Sequence, residues 1–280
     1  MYHPEQLVKL TNHDGINKGF KFKEGLNEDI YELNRKVECG RGGLYFCRFK
    51  NVDKWLCDYY GDAWIWKVEI PEGEKVIEYE TKLKAKRIIL REPKKAYDNY
   101  ELCKLSVQLN GYSIHFMKNQ TPELCKLAVK QNGLVLEYVK DQTPEICKLA
   151  VLQDCRALHF VKEQTEELCK LAIQQNMYAI QFVKEQTPEL CKIAVQQDGC
   201  ALEVVKEQTP ELCKLAVQQY GCSLYFVIEQ TPELCKLAIQ QDGLALEYVK
   251  EQTPGLCKLA VQQNPDAIKY VKNPEWVIKE

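Results

Sequence analysis

No two of the fourteen cysteines stand in a CxxC pair. That absence removes the usual sequence marker of a zinc site and of a thiol–disulfide redox motif. No apolar run reaches the ~18 residues that a membrane helix needs, so no membrane role is expected. Charge of one sign is missing too. The 38 Lys and Arg stand against 40 Asp and Glu, a formal charge of -2, which favours neither nucleic acid nor a polybasic partner. The N-terminal stretch MYHPEQLVKLTNHDG has no apolar core followed by small residues. No secretory leader is read there, and a cytosolic, reducing location is the expectation. HExxH, GxSxG and kinase-type loops are also absent. GRGGLYF (Gly40 to Phe46) lacks both the GxGxxG order and the Lys-Ser/Thr of a phosphate-binding loop, so it reads as a turn before a strand.

What is present is repetition. Cys103, Cys125, Cys147, Cys169, Cys191, Cys213, Cys235 and Cys257 stand 22 residues apart without a slip. The unit is written from Thr121 as TPELCKLAVKQNGLVLEYVKDQ. Eight units run from Asn99 to about Pro274, after a head of residues 1–96 that has no such period. A single helical pair cannot bury its apolar face alone, so equal units must stack. The fold class expected is an α-helical solenoid of eight 22-residue two-helix repeats, preceded by a small α+β domain. The solenoid occupies 97–280, with a C-terminal cap from about residue 273 where Trp276 is placed to cover the end.

Both helix starts are legible. Seven of eight units begin with Thr and six follow it with Pro. The Thr hydroxyl takes an orphan N–H, and Pro has none to orphan. Leu124, Cys125, Leu127, Ala128 and Val129 make the apolar stripe of the first helix, with Glu123 and Lys126 outside. Asn or Asp recurs at 110, 132, 154, 176, 198, 242 and 264, and Tyr at 220. The next position accepts Gly, Cys155, Met177 and Pro265, so it cannot demand positive φ. Asn/Asp is therefore read as the second N-cap, opening a second helix. Each helix is expected to run roughly 9 to 10 residues, with Leu136, Tyr138 and Val139 inward in the second.

The cysteine ladder reads as small core filler, because equivalent residues in stacked helices lie on the order of 9–10 Å apart and a disulfide needs Cα atoms within about 7 Å. Cys155, Cys200 and Cys222 fall in the variable half of the unit, where partial exposure is expected. No metal, cofactor or catalytic residue is assigned. Paired glutamines at the helix ends (Gln196–Gln197, Gln218–Gln219, Gln240–Gln241) read as solvated lining that satisfies terminal carbonyls.

In the head, Gly40 to Cys47 reads as a turn into a strand, Val52 to Tyr60 as a helix, and Trp64 to Ile70 as a strand. Val76 to Tyr79 and Arg87 to Leu90 are further strands. The first 35 residues carry no clear pattern.

Two columns of the second helix vary freely. One holds Tyr112, Leu134, Arg156, Tyr178, Cys200, Cys222, Leu244 and Asp266. The other, three residues on, holds His115, Glu137, His159, Gln181, Glu203, Tyr225, Glu247 and Lys269. The partner-binding candidates are Tyr112, His115, Leu134, Glu137, Arg156, His159, Tyr178, Gln181, Glu203, Tyr225, Glu247 and Lys269. A fixed core with varied outward residues is how repeat proteins build recognition surfaces; neutral drift is the competing account. The favoured function is a protein-interaction scaffold or adaptor. The alternatives are an enzyme with a catalytic head targeted by the repeats, and a structural protein that assembles into a homo-oligomer.

The unit resembles helical repeats of an uncharacterised family found in giant, Mimivirus-like DNA viruses and some bacteria. The shared pattern is AV-x-Q-N/D-G-x-A-L-x-[FY], clearest at Ala128 to Tyr138 and Ala238 to Tyr248. The head is similar to the domain that precedes ankyrin repeats in giant-virus proteins, through GGLYFC (Gly42 to Cys47), Tyr59-Tyr60-Gly61, VEIPEG (Val68 to Gly73) and KAKRIIL (Lys84 to Leu90). No ankyrin TPLH occurs and the period is 22, not 33. The resemblance implies a viral protein that acts on a host protein in the host cytoplasm, and supplies no catalytic residues.

Overall fold

The structure, a computed structural model, describes residues 3, 5–12, 14–17, 19–33, 42–52 and 63–278. The chain divides into two compact units, Met1–Ile146 and Cys147–Glu280. The change from strands to repeats, near residue 96, lies inside the first unit.

Among the described residues the head holds nine strands: β1 Leu7–Thr11, β2 Ile16–Asn17, β3 Phe20–Lys21, β4 Gly25–Glu28, β5 Leu44–Arg48, β6 Trp64–Glu69, β7 Val76–Glu78, β8 Leu83–Ala85 and β9 Arg87–Lys95. Seven form one antiparallel sheet in the order β4-β9-β6-β1-β5-β8-β7. The strands expected around residues 44, 64, 76 and 87 are present. Four strands also lie in the first 35 residues, which show no pattern because β2 and β3 are only two residues each and β1 and β4 pair with partners distant in sequence. β1, for example, sits between β5 and β6. The helix expected over Val52 to Tyr60 falls, apart from Val52, outside the described residues.

The sheet is apolar on both faces, as the period of two allows. Phe22, Leu44, Phe46, Trp66, Val68, Leu83, Ile88 and Leu90 pack together. Val8, Leu10, Cys47, Val52, Ala63 and Ile65 form a second cluster, which also takes in Leu102 and Leu105 of the first repeat helix. The head thereby covers the first repeat.

The repeat helices are α1 Tyr100–Leu109, α2 Pro122–Gln131, α3 Pro144–Gln153, α4 Glu166–Gln175, α5 Pro188–Gln197, α6 Pro210–Gln219, α7 Pro232–Gln241 and α8 Pro254–Gln263, each of ten residues. A short closing helix, α9 Glu275–Ile278, carries Trp276 and packs on α8. The caps are as read. The N–H of Leu124 donates to Thr121 Oγ1 and that of Leu134 to Asn132 Oδ1, and this recurs down the chain.

The second element of each unit is not the 9-to-10-residue helix expected. It is a six-residue 3-10 helix, as at Gly133–Tyr138 and Gly221–Phe226. The carbonyl that would accept a longer helix's bonds is already engaged. Leu136 O receives the N–H of Val139 and the side-chain amide of Gln142, and Val139 leaves in extended conformation. A 3-10 helix has three residues per turn, so residues three apart share a side. Gly133 and Leu136 are buried, while Leu134 is half-buried and Glu137 exposed.

The repeat glycines have ordinary negative φ. Their need is space: a Cβ on Gly111 would stand 2.9 Å from the Ala128 carbonyl oxygen of the next repeat. Tyr138 is half-buried rather than inward. Lys126 pairs not with Glu123 but with Glu145 of the following repeat, at 2.7 Å.

Candidate interaction face

Repeats are numbered here from repeat 1 (99–120) to repeat 8 (253–274). Most fixed polar side chains of the unit are consumed in holding neighbours together. Gln208 shows how. Its Nε2 donates to Leu202 O in its own repeat and to Phe226 O in the next, at 3.0 and 2.9 Å, and its Oε1 accepts the N–H of Ile228. Gln120, Gln164, Gln186, Gln230 and Gln252 make the same three bonds. The ladder thiols lie behind them: Cys213 Sγ is 3.8 Å from Gln208 Oε1. Burial pushes those thiols up, Cys103 and Cys125 to about 11, which keeps them protonated and poorly nucleophilic.

The lysine after the 3-10 helix folds back in the same manner. Lys250 Nζ donates to Val227 O and Ile228 O, and Lys184 Nζ to Val161 O and Lys162 O. The second glutamine of each pair reaches the preceding helix, as Gln219 Nε2 does to Gln196 O at 2.6 Å. Reading these glutamines as carbonyl partners was correct; that the bonds cross between repeats was not legible.

The two variable columns lie outside this bracing. In the first unit, Tyr112 and His115 are exposed, and both rings meet Tyr138 edge-on, with centroids 5.9 and 4.6 Å away. Leu134 is half-buried and Glu137 exposed. The Glu137 carboxylate and burial push the Tyr138 phenol up.

In the second unit, Arg156 forks onto its own cap, Asp154, and holds that carboxyl below its usual range. His159 stacks edge-on against Phe160 and Phe182. Tyr178 is half-buried, and the exposed Gln181 donates to its carbonyl. Tyr225 meets Phe226 and Tyr248, with centroids 5.1 and 5.6 Å away. Lys269 covers the Tyr270 ring at 4.8 Å. Glu203 and Glu247 are exposed. The cationic members of the columns are thus engaged locally, while these acids face solvent.

The column that follows each outer variable residue, expected inward with Tyr138, is instead half-buried at Tyr138, Phe160, Phe182, Val204, Phe226, Tyr248 and Tyr270 and exposed at Phe116. Its aromatic period was visible, but half-burial and edge-on contact with the neighbouring variable side chain were not. Cys155 and Cys200 are half-buried and Cys222 is exposed. Cys47 is buried, while Cys39 and Cys57 lie outside the described residues. Among the described residues no group of three or more His, Cys, Asp or Glu could hold a metal ion, and no helix is long and apolar enough to cross a membrane.

No family model, curated protein or solved structure matches the chain.

Proposed function

We propose that the protein is an interaction scaffold whose 3-10 helices present a variable face to a protein partner. One observation carries this reading. The recurrent glutamines and cysteines, and the lysine that follows the 3-10 helix in seven of eight repeats, are spent on bonds within the stack, whereas the two outward columns make few such bonds and are free to differ. Half-buried aromatic rings beneath those columns give a partner apolar area that loses little conformational freedom on contact. In this reading the head acts as the cover of the first repeat, and a host protein is the partner class that the resemblance suggests.

The test compares the whole protein with a variant carrying Tyr178→Ala, Gln181→Ala, Tyr225→Ala and Glu247→Ala. Affinity capture from cell lysate is expected to retain a partner on the parent and lose it on the variant, with thermal unfolding little changed. Equal capture by both proteins refutes the face.

A further inference from the structure

Repeat 6, residues 209–230, departs from the rules of its neighbours in one direction. Its cap position holds Tyr220, the one 3-10 cap of the eight without a side-chain bond to the helix. Replacing Asn or Asp at such a cap costs about 1 kcal/mol. The lysine that folds back on carbonyls elsewhere is Ile228. Ser223 replaces the usual Ala, and its buried hydroxyl has no hydrogen-bond partner. Each change weakens the stack. In return, Tyr220, Tyr225 and Ile228 stand 54%, 65% and 65% exposed, and Cys222 is exposed beside them in sequence. Drift at surface positions has no reason to exchange stabilising polar groups for exposed apolar ones twice within nine residues, at Tyr220 and Ile228, with the exposed ring of Tyr225 between them.

The surroundings are acidic on balance, with five carboxylates against two lysines. Along the outer variable column, Tyr225 is flanked by Glu203 in the preceding repeat and Glu247 in the next. The position after Ile228 is Glu229, and its equivalents on either side are Glu207 and Glu251. All five are exposed, and among the described residues none is in an ion pair. The nearby lysines of that face, Lys206 and Lys250, direct their ammonium groups to main-chain carbonyls. An apolar centre within a charged rim is the layout of an interface hot spot, and the acidic rim selects a basic partner.

We infer that the 3-10 helix of repeat 6 is the anchor of the interaction face, and that it takes a protein segment in which a large apolar side chain is flanked by lysine or arginine. This rests on the scaffold reading and names its partner class.

The test pans a randomised peptide library displayed on phage against the whole protein. Enriched peptides are expected to pair aromatic or aliphatic residues with Lys and Arg, and to weaken as salt rises. The decisive variant is Tyr220→Asn, Tyr225→Glu and Ile228→Lys together. It gives repeat 6 residues that this chain already uses at those positions, so it is expected to unfold at an equal or higher temperature while binding falls more than 10-fold. Glu203→Lys with Glu247→Lys is expected to weaken the same peptides. A library that enriches nothing, or enriches acidic or uncharged peptides, overturns the inference. So do peptides that bind the triple variant as tightly as the parent. If those peptides nevertheless lose binding to Arg156→Ala, His159→Ala and Gln181→Ala together, the scaffold reading survives. If neither variant matters, both fall.

Discussion

The side-chain amide of Gln208 donates to the main-chain carbonyl of Phe226, one repeat further on, at 2.9 Å. The same nitrogen also holds Leu202 O, and the amide oxygen holds the Ile228 N–H. One half-buried side chain thus ties together main-chain groups of two consecutive 3-10 helices.

Removing it leaves three main-chain groups to find water. At roughly 1 kcal/mol for each net hydrogen bond, Gln208→Ala is expected to cost about 2–3 kcal/mol. Gln208→Glu is expected to be at least as damaging, because a carboxylate would face two carbonyl oxygens. Urea unfolding followed by circular dichroism measures both. A loss below about 0.5 kcal/mol for each would show that the bracket is idle.

The thiol ladder predicts alkaline instability. Burial pushes the thiols of Cys103 and Cys125 from 9.0 up to about 11, and six further ladder thiols move the same way. The folded state therefore holds its protons longer than the unfolded chain. This contribution is intact below pH 9 and is lost as pH rises from 9 through 11. A two-unit shift corresponds to about 2–3 kcal/mol for a buried group. Unfolding midpoints measured from pH 8 to 11 should fall, and Cys125→Ala should flatten the fall. In native protein at pH 8, alkylating reagents should label Cys222 well before any ladder thiol.

At the end of the stack, Gly255 stands where other repeats carry Glu. A Cβ there meets nothing within 4 Å, and a cleft of about 840 Å³ opens beside it, lined among others by Lys236, Leu256 and Leu259. Gly255→Glu removes a flexible residue from a helix and adds an acid to its first turn. The expected gain is about 1 kcal/mol, read as a higher urea midpoint. An unchanged midpoint would mean that this helix end frays regardless.

Gly221 behaves oppositely. A Cβ there would lie 2.7 Å from the Ala238 carbonyl oxygen. Gly221→Ala is expected to cost about 1–3 kcal/mol through overpacking, against the usual benefit of removing glycine. Thermal denaturation decides the sign. Cys155 and Met177 at equivalent positions show that a repeat can shift to admit a side chain, so the loss should stay partial.

Much of the repeat domain was legible because its information is local. Thr121 with Pro122 sets a helix start within three residues, and Asn132 sets the next. The 22-residue spacing of Cys125 and its equivalents says that the same contacts recur. The two variable columns were found the same way, by aligning the chain with itself. Their three-residue separation matches the period of a 3-10 helix as well as that of an α-helix, so spacing alone does not distinguish the two.

Within the repeats, the chain's own residues fixed the order of elements, the caps, and which positions must be small and apolar. Tertiary structure decided the rest. The 3-10 helix stops at six residues because Gln142 reaches back to Leu136 O. Lys126 meets Glu145 because stacking brings the carboxylate of the neighbouring repeat to 2.7 Å. The strand partners of Leu7–Thr11 lie at Leu44–Arg48 and Trp64–Glu69, far along the chain. Local conformational preference is written over a few residues, but a hydrogen bond or ion pair between separate segments depends on where the whole chain carries its partner.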